Sequence, residues 1–89
     1  MEIIHDAAKQ KFYVIFDGLE SHLEYVRNHE VLNLNHTYVP NDLRGKGIAG
    51  KLVEAALTYV KGNKLKIKPT CSYVAEYVRR HKEYEELVD

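Results

Sequence analysis

Residues 39–52, VPNDLRGKGIAGKL, constrain this chain more than any other stretch. They read as the end of a strand, a glycine-rich turn and the start of an amphipathic helix. Gly45 and Gly47 lack a Cβ, so the backbone can turn tightly there and lay its N–H groups against a ligand. The helix behind them adds unpaired N-terminal donors and the positive end of its dipole. A phosphate-bearing ligand suits that arrangement.

Gly45, Gly47 and Gly50 fit G-x-G-x-x-G, while Gly45, Gly50 and Lys51 approach the P-loop pattern G-x-x-x-x-G-K-S/T. Neither fits its context. A dinucleotide fold sets its first glycine directly after a strand and an acid about 20 residues on. Here Pro40 to Arg44 intervene, and Thr70 stands where the acid belongs. A P-loop needs a hydroxyl after its lysine to hold Mg²⁺, and Leu52 has none.

Hydrophobic patterning supplies the frame for this stretch. Residues 2–6 read as an opening strand, and Phe12, Val14 and Phe16 alternate with Tyr13 and Ile15, which predicts a mid-sheet strand apolar on both faces. His22, Glu24 and Val26 alternate with Leu23, Tyr25 and Arg27 in a third strand, wetter on one face. In the fourth, residues 31–39, strict alternation puts Leu32, Leu34, His36 and Tyr38 on one face and Asn33, Asn35 and Thr37 on the other. The two mid-strand asparagines run against propensity, a conflict expected at functional or solvated positions.

From Ile48 an apolar stripe through Leu52, Val53, Ala56, Leu57 and Val60 predicts the longest helix, with Gly62 placed to cap it. Leu65 and Ile67 between lysines describe an edge strand. A second helix follows over residues 72–81, with Tyr73 and Tyr77 on one side, and residues 82–88 add a last turn. The order ββββαβα predicts an α+β fold with helices over a mostly antiparallel sheet.

At 89 residues the chain has room for one domain, residues 1–89. Lys plus Arg and Asp plus Glu balance at 13 each, against the basic excess of a nucleic-acid binder. No apolar run approaches the ~20 residues that span a bilayer, and no leader pattern opens the chain, so the expectation is a soluble, cytoplasmic protein. One cysteine makes neither an internal disulfide nor a thiolate cage. His22, His29 and His36 recur every seven residues without a helical ligand spacing, so no metal is expected.

Arg44, Gly47 and Ala49 do fit Gln/Arg-x-x-Gly-x-Gly/Ala. This run resembles the pyrophosphate-binding signature of the Gcn5-related N-acetyltransferases, which also lies between a strand and a long helix. Read with His36-Thr37, Val39-Pro40, Leu43 and the run Pro69-Thr70-Cys71-Ser72-Tyr73-Val74, the chain is similar over most of its length to their very small single-domain, YjdJ-like members. The resemblance implies a minimal acyl-CoA N-acyltransferase fold, acetyl-CoA as cofactor and an amine as acetyl acceptor. It assigns the pyrophosphate to Arg44, Gly45, Lys46, Gly47, Ile48 and Ala49. The pantetheine arm falls along Tyr38 and Val39, where the fourth and fifth strands part.

Such relatives usually read His-Thr-Glu-Val-Pro; here Tyr38 replaces the glutamate, and a phenol of pKa about 10 is a poor general base. Cys71, at the start of a helix whose dipole favours a thiolate, is a candidate nucleophile, although a lone cysteine is also a common small core residue. His36 is a candidate base near neutral pH or a structural histidine. Together they could act as acetyl acceptor and base in a two-step transfer, or as polarising groups in a direct one. The alternative is a non-catalytic acyl-CoA-binding or sensing module, consistent with the missing glutamate and the short chain.

Overall fold

The alternation of apolar and polar side chains becomes a five-stranded sheet in the order β1-β2-β3-β4-β5. The computed structural model describes all residues, 1–89. β1 (Ile4–Asp6), β2 (Lys11–Phe16), β3 (Leu19–Asn28) and β4 (Val31–Tyr38) pair antiparallel in sequence, joined by short turns. β5 (Lys66–Lys68) lies parallel to β4, a pairing that requires a crossover. That crossover is α1 (Ile48–Gly62), and α2 (Ser72–Arg80) follows β5. The α+β class and the order of elements are as the sequence predicts.

α1 holds the fold together because its stripe has the right period. Ile48, Leu52, Val53, Ala56, Leu57 and Val60 are all buried against Phe12, Val14, Leu23, Tyr25, Leu32 and Leu34 of the sheet. Each large side chain of this set contributes on the order of 1.5–3 kcal/mol by leaving water. α2 adds Val74 and Val78 to the same core, and the terminal 3₁₀ segment Lys82–Leu87 adds Leu87. Neither helix is long and apolar enough to cross a membrane.

The other face of the sheet is bare. Tyr13 is half-buried and Ile15 is 54% exposed, so β2 has one dry face rather than the two its composition suggests. β5 is the last strand of the sheet with Lys66 and Lys68 in solvent, but it is not the free edge its lysines imply, because Val88 bridges Ile67 in parallel and the Asp89 N–H donates to the Ile67 carbonyl. Gly62 does not cap α1. It is the last helical residue, Asn63 takes the cap and donates its side-chain amide to the Tyr59 carbonyl, and Lys64 makes the left-handed turn at φ 57°.

The correction that matters most lies in β4. Glu24 and Tyr25 are neighbours on β3, yet their partners on β4 are His36 and Leu34, so Asn35 is an extra, bulged residue. A bulge shifts the alternation by one. Leu32 and Leu34 face the helices, but beyond Asn35 it is Thr37, opposite the fully buried Leu23, that faces inward. His36 and Tyr38, opposite Glu24 and His22, project from the bare face. They do not share a face with Leu32 and Leu34.

Candidate active site

The turn between β4 and α1 is built by two left-handed glycines, Gly45 at φ 86° and Gly47 at φ 79°. A Cβ at either position would meet no atom within 4 Å, so both face open space. Gly47 is the N-cap of α1 and offers no side-chain cap. The Arg44 N–H donates to the Asn41 carbonyl, and the next N–H to reach a backbone carbonyl is that of Lys51, onto Gly47. The N–H groups of Gly45, Lys46, Gly47, Ile48, Ala49 and Gly50 therefore donate to no backbone carbonyl. Such a ring of free donors on a helix dipole can receive an anion.

The side chains of this turn divide the work. Ile48 is 1% exposed and anchors the helix in the core, leaving only its N–H for a ligand. Arg44 is exposed and its Nε donates to the Val39 carbonyl at 3.2 Å, which holds the guanidinium beside the strand end. Lys46 reaches over the Phe16 ring, with Nζ 5.9 Å from its centroid. Gly50 faces α2, where a Cβ would be in ordinary contact with the Tyr73 hydroxyl at 3.6 Å. A cleft of about 170 Å³, lined by Gly47, Gly50, Lys51, Glu54 and Tyr77, opens beside the turn.

β4 and β5 part where the resemblance expects them to. Their pairing covers only Val31 to Asn33, and the Cys71 N–H then donates to the Leu34 carbonyl. From the bulge at Asn35 to Tyr38, β4 has no strand partner on that edge. An extended chain with free N–H and C=O groups can take a strand-like ligand by main-chain hydrogen bonds. This edge leads directly into Val39 and the glycine turn.

Cys71 sits across that opening as the N-cap of α2. The Thr37 hydroxyl lies 3.5 Å from its sulfur. Burial pushes the thiol up, but the Thr37 hydroxyl and the N–H groups of Val74, Tyr73 and Thr37 outweigh it, and the net direction is down. No side-chain cap hydrogen bond forms to α2, so the helix N–H groups act on the sulfur as dipoles. A partly buried thiol whose pKa is lowered in this way has the chemistry a nucleophile needs.

The structure does not bring His36 to Cys71. The bulge turns His36 onto the bare face with His22 and Glu24, while its neighbour Thr37 takes the inward place beside the sulfur. The Tyr38 ring likewise turns away and lies 5.5 Å from the His22 ring, leaving the Tyr38 backbone at the open edge. Thr37 is the residue beside Cys71 that patterning missed. For Thr37 the available signal was the pair Asn33 and Asn35, whose poor fit to a strand marked the bulge.

The largest hollow, about 770 Å³, lies elsewhere, against His5, Phe12, Thr58, Tyr59 and Tyr84. It contains neither the free N–H groups nor the thiol.

Comparison with known proteins bears on the fold and the family. A family model described as GCN5-related N-acetyl-transferase matches residues 11–87. Protein NATD1 of Gallus gallus is 35% identical over 85 residues, covering 91% of this chain and 76% of that protein. Protein NATD1 of Homo sapiens is also 35% identical, over 91% of this chain and 74% of its own. The NMR solution structure of a GCN5-like protein from Staphylococcus aureus superposes with a TM-score of 0.77 at 27% identity, covering 99% of this chain and 87% of that one. The chain belongs to the GCN5-related N-acetyltransferase family.

Proposed function

We propose that the protein binds acetyl-CoA between β4 and α2 and transfers its acetyl group to an amine. The observation that carries this reading is the run of unpartnered N–H groups from Gly45 to Gly50, continuous with the unpaired β4 edge that ends beside Cys71. The pyrophosphate takes the N–H groups and the Arg44 and Lys46 charges. The pantetheine arm lies along the backbone of Thr37, Tyr38 and Val39, which delivers the thioester towards the sulfur.

In this mechanism the Cys71 thiolate attacks the thioester carbonyl, a C–Sγ bond forms, and the bond to coenzyme A breaks. Coenzyme A leaves as a thiolate and takes a proton from water. A neutral amine then attacks the acetyl-cysteine, the C–Sγ bond breaks, the amide forms, and the amine's surplus proton passes to solvent. Thr37 positions the thiolate throughout. His36, on the opposite face, takes no step.

A second reading, a non-catalytic acyl-CoA sensor, has one observation in its favour. Among carboxylates and imidazoles, none hydrogen-bonds to the sulfur; its side-chain partner is Thr37, so the amine's proton meets no nearby base. An amide-resolved NMR titration with acetyl-CoA, followed over hours, separates the readings. Shifts at residues 44–50 and at Thr37 and Cys71 are expected, followed by slow conversion to coenzyme A when amines are added. Shifts without conversion give the sensor, and no shifts at the turn overturn both.

A further inference from the structure

The bare face of the sheet carries a group of side chains that the acetyl-transfer reading leaves unused. His22 and Glu24 are two residues apart on β3, on the same side of the strand, and His36 stands directly opposite Glu24 on β4. One ligand atom from each of the three lies within 4.8 Å of the others. The seven-residue spacing that argues against a metal in the sequence is irrelevant here, because antiparallel pairing sets the juxtaposition. The Asn35 bulge is essential to it. With strict alternation from Leu34, His36 would face the core.

A second observation is independent of that cluster. The Nδ1 atom of His22 lies 2.9 Å from Oε2 of Glu20, which also accepts from the Lys11 ammonium at 2.9 Å. Glu20 thus pairs with the Lys11 ammonium and with the His22 ring at the same oxygen. An oxygen that accepts from the Lys11 ammonium is an acceptor for His22 as well, so the His22 Nδ1–H donates to it. That fixes the tautomer and leaves the Nε2 lone pair free. A carboxylate behind a ring nitrogen is the second-shell support that ligating histidines use.

We infer that His22, Glu24 and His36 form a binding site for a borderline divalent transition metal, of which Zn²⁺ is the fitting ion. Two imidazole nitrogens and one carboxylate oxygen are zinc donors at about 2.0–2.2 Å, which sets donor separations near 3.4 Å in a tetrahedron. The exposed Glu24 and His36 side chains have the rotamer freedom to close the 4.8 Å spread to that value. The fourth position is open to solvent beside the Tyr38 ring. The ion would bridge β3 to β4 beside the bulge, on the face opposite Cys71, so the site stands independently of acetyl transfer.

The test uses tag-free protein titrated with Zn²⁺ by calorimetry and with paramagnetic Ni²⁺ by NMR. One saturable equivalent is expected, with Ni²⁺ broadening centred on His22, Glu24, His36 and Tyr38. His22→Ala and His36→Ala should each weaken Zn²⁺ binding at least tenfold, and Glu20→Gln by ~10-fold or more, the usual loss for a second-shell carboxylate. Cys71→Ser should leave the Zn²⁺ affinity unchanged. All four positions tolerate a fold check by amide spectrum, and the broadening map on the parent protein needs no variant. Broadening centred on His81 or Cys71, or an unchanged affinity in the His22→Ala, His36→Ala double variant, overturns the site. So does the absence of saturable binding.

Discussion

The Thr37 hydroxyl and the Cys71 sulfur, 34 residues apart in sequence, meet at 3.5 Å across the opening between β4 and α2. Because the Thr37 hydroxyl is the largest influence lowering the thiol pKa, Thr37→Val should raise it. The check is the pH profile of iodoacetamide alkylation, with the parent reacting faster at neutral pH and bound coenzyme A protecting it. Cys71→Ala should keep coenzyme A binding and lose acetyl transfer.

The glycine turn can be tested against strain alone. At Gly47, with φ 79°, valine should cost roughly 1–2 kcal/mol or more in the left-handed region and block the approach of a pyrophosphate. Gly18, at φ 75° in the β2–β3 hairpin, is the control. Gly18→Ala should lower thermal stability while sparing coenzyme A affinity, whereas Gly47→Val should lower both.

Salt dependence should follow from the same geometry. Arg44 and Lys46 are exposed, so their attraction for the phosphates is screened over about 10 Å at 0.1 M salt. Acetyl-CoA affinity, measured by calorimetry at rising ionic strength, should fall steadily. Desphospho fragments such as pantetheine should show little salt dependence.

Deleting Asn35 should regularise β4. Leu34 and His36 would then follow without a bulge, and the free edge facing Cys71 would change course, because a bulge bends the strand that carries it. The expected outcome is a folded protein, judged by its amide spectrum, with acetyl-CoA affinity reduced at least tenfold. Leu34→Ala, by contrast, should cost about 2–5 kcal/mol of stability by leaving a core cavity.

His5 sets an acid-side limit on stability. Burial holds its imidazole below the ordinary 6.5, with Asp6 pulling the other way, and its Nε2 lies 2.6 Å from the Tyr25 hydroxyl. The folded state favours the neutral ring, so this contribution is complete above pH 6.5 and is lost as pH falls through the lowered folded value. Urea unfolding should show that loss, and His5→Gln should flatten it. Glu76, held at about 2 by Arg79 and then Arg80, acts in a separate, more acid window.

The local chemistry of this chain was legible in its sequence. Gly45, Gly47 and the stripe from Ile48 to Val60 act through backbone conformation and helical period, both properties of residues close together in the chain. The turn, α1 and the order of elements followed from them, and so did the family resemblance. Tertiary structure decided what depends on register. One unpaired residue, Asn35, reverses every side chain beyond it, because strand side chains alternate with period two. That reversal put Thr37 rather than His36 beside Cys71 and gathered His22, Glu24 and His36 on the bare face. No local spacing records such meetings, since they arise from hydrogen bonds between strands and from the packing of α1 that holds those strands together.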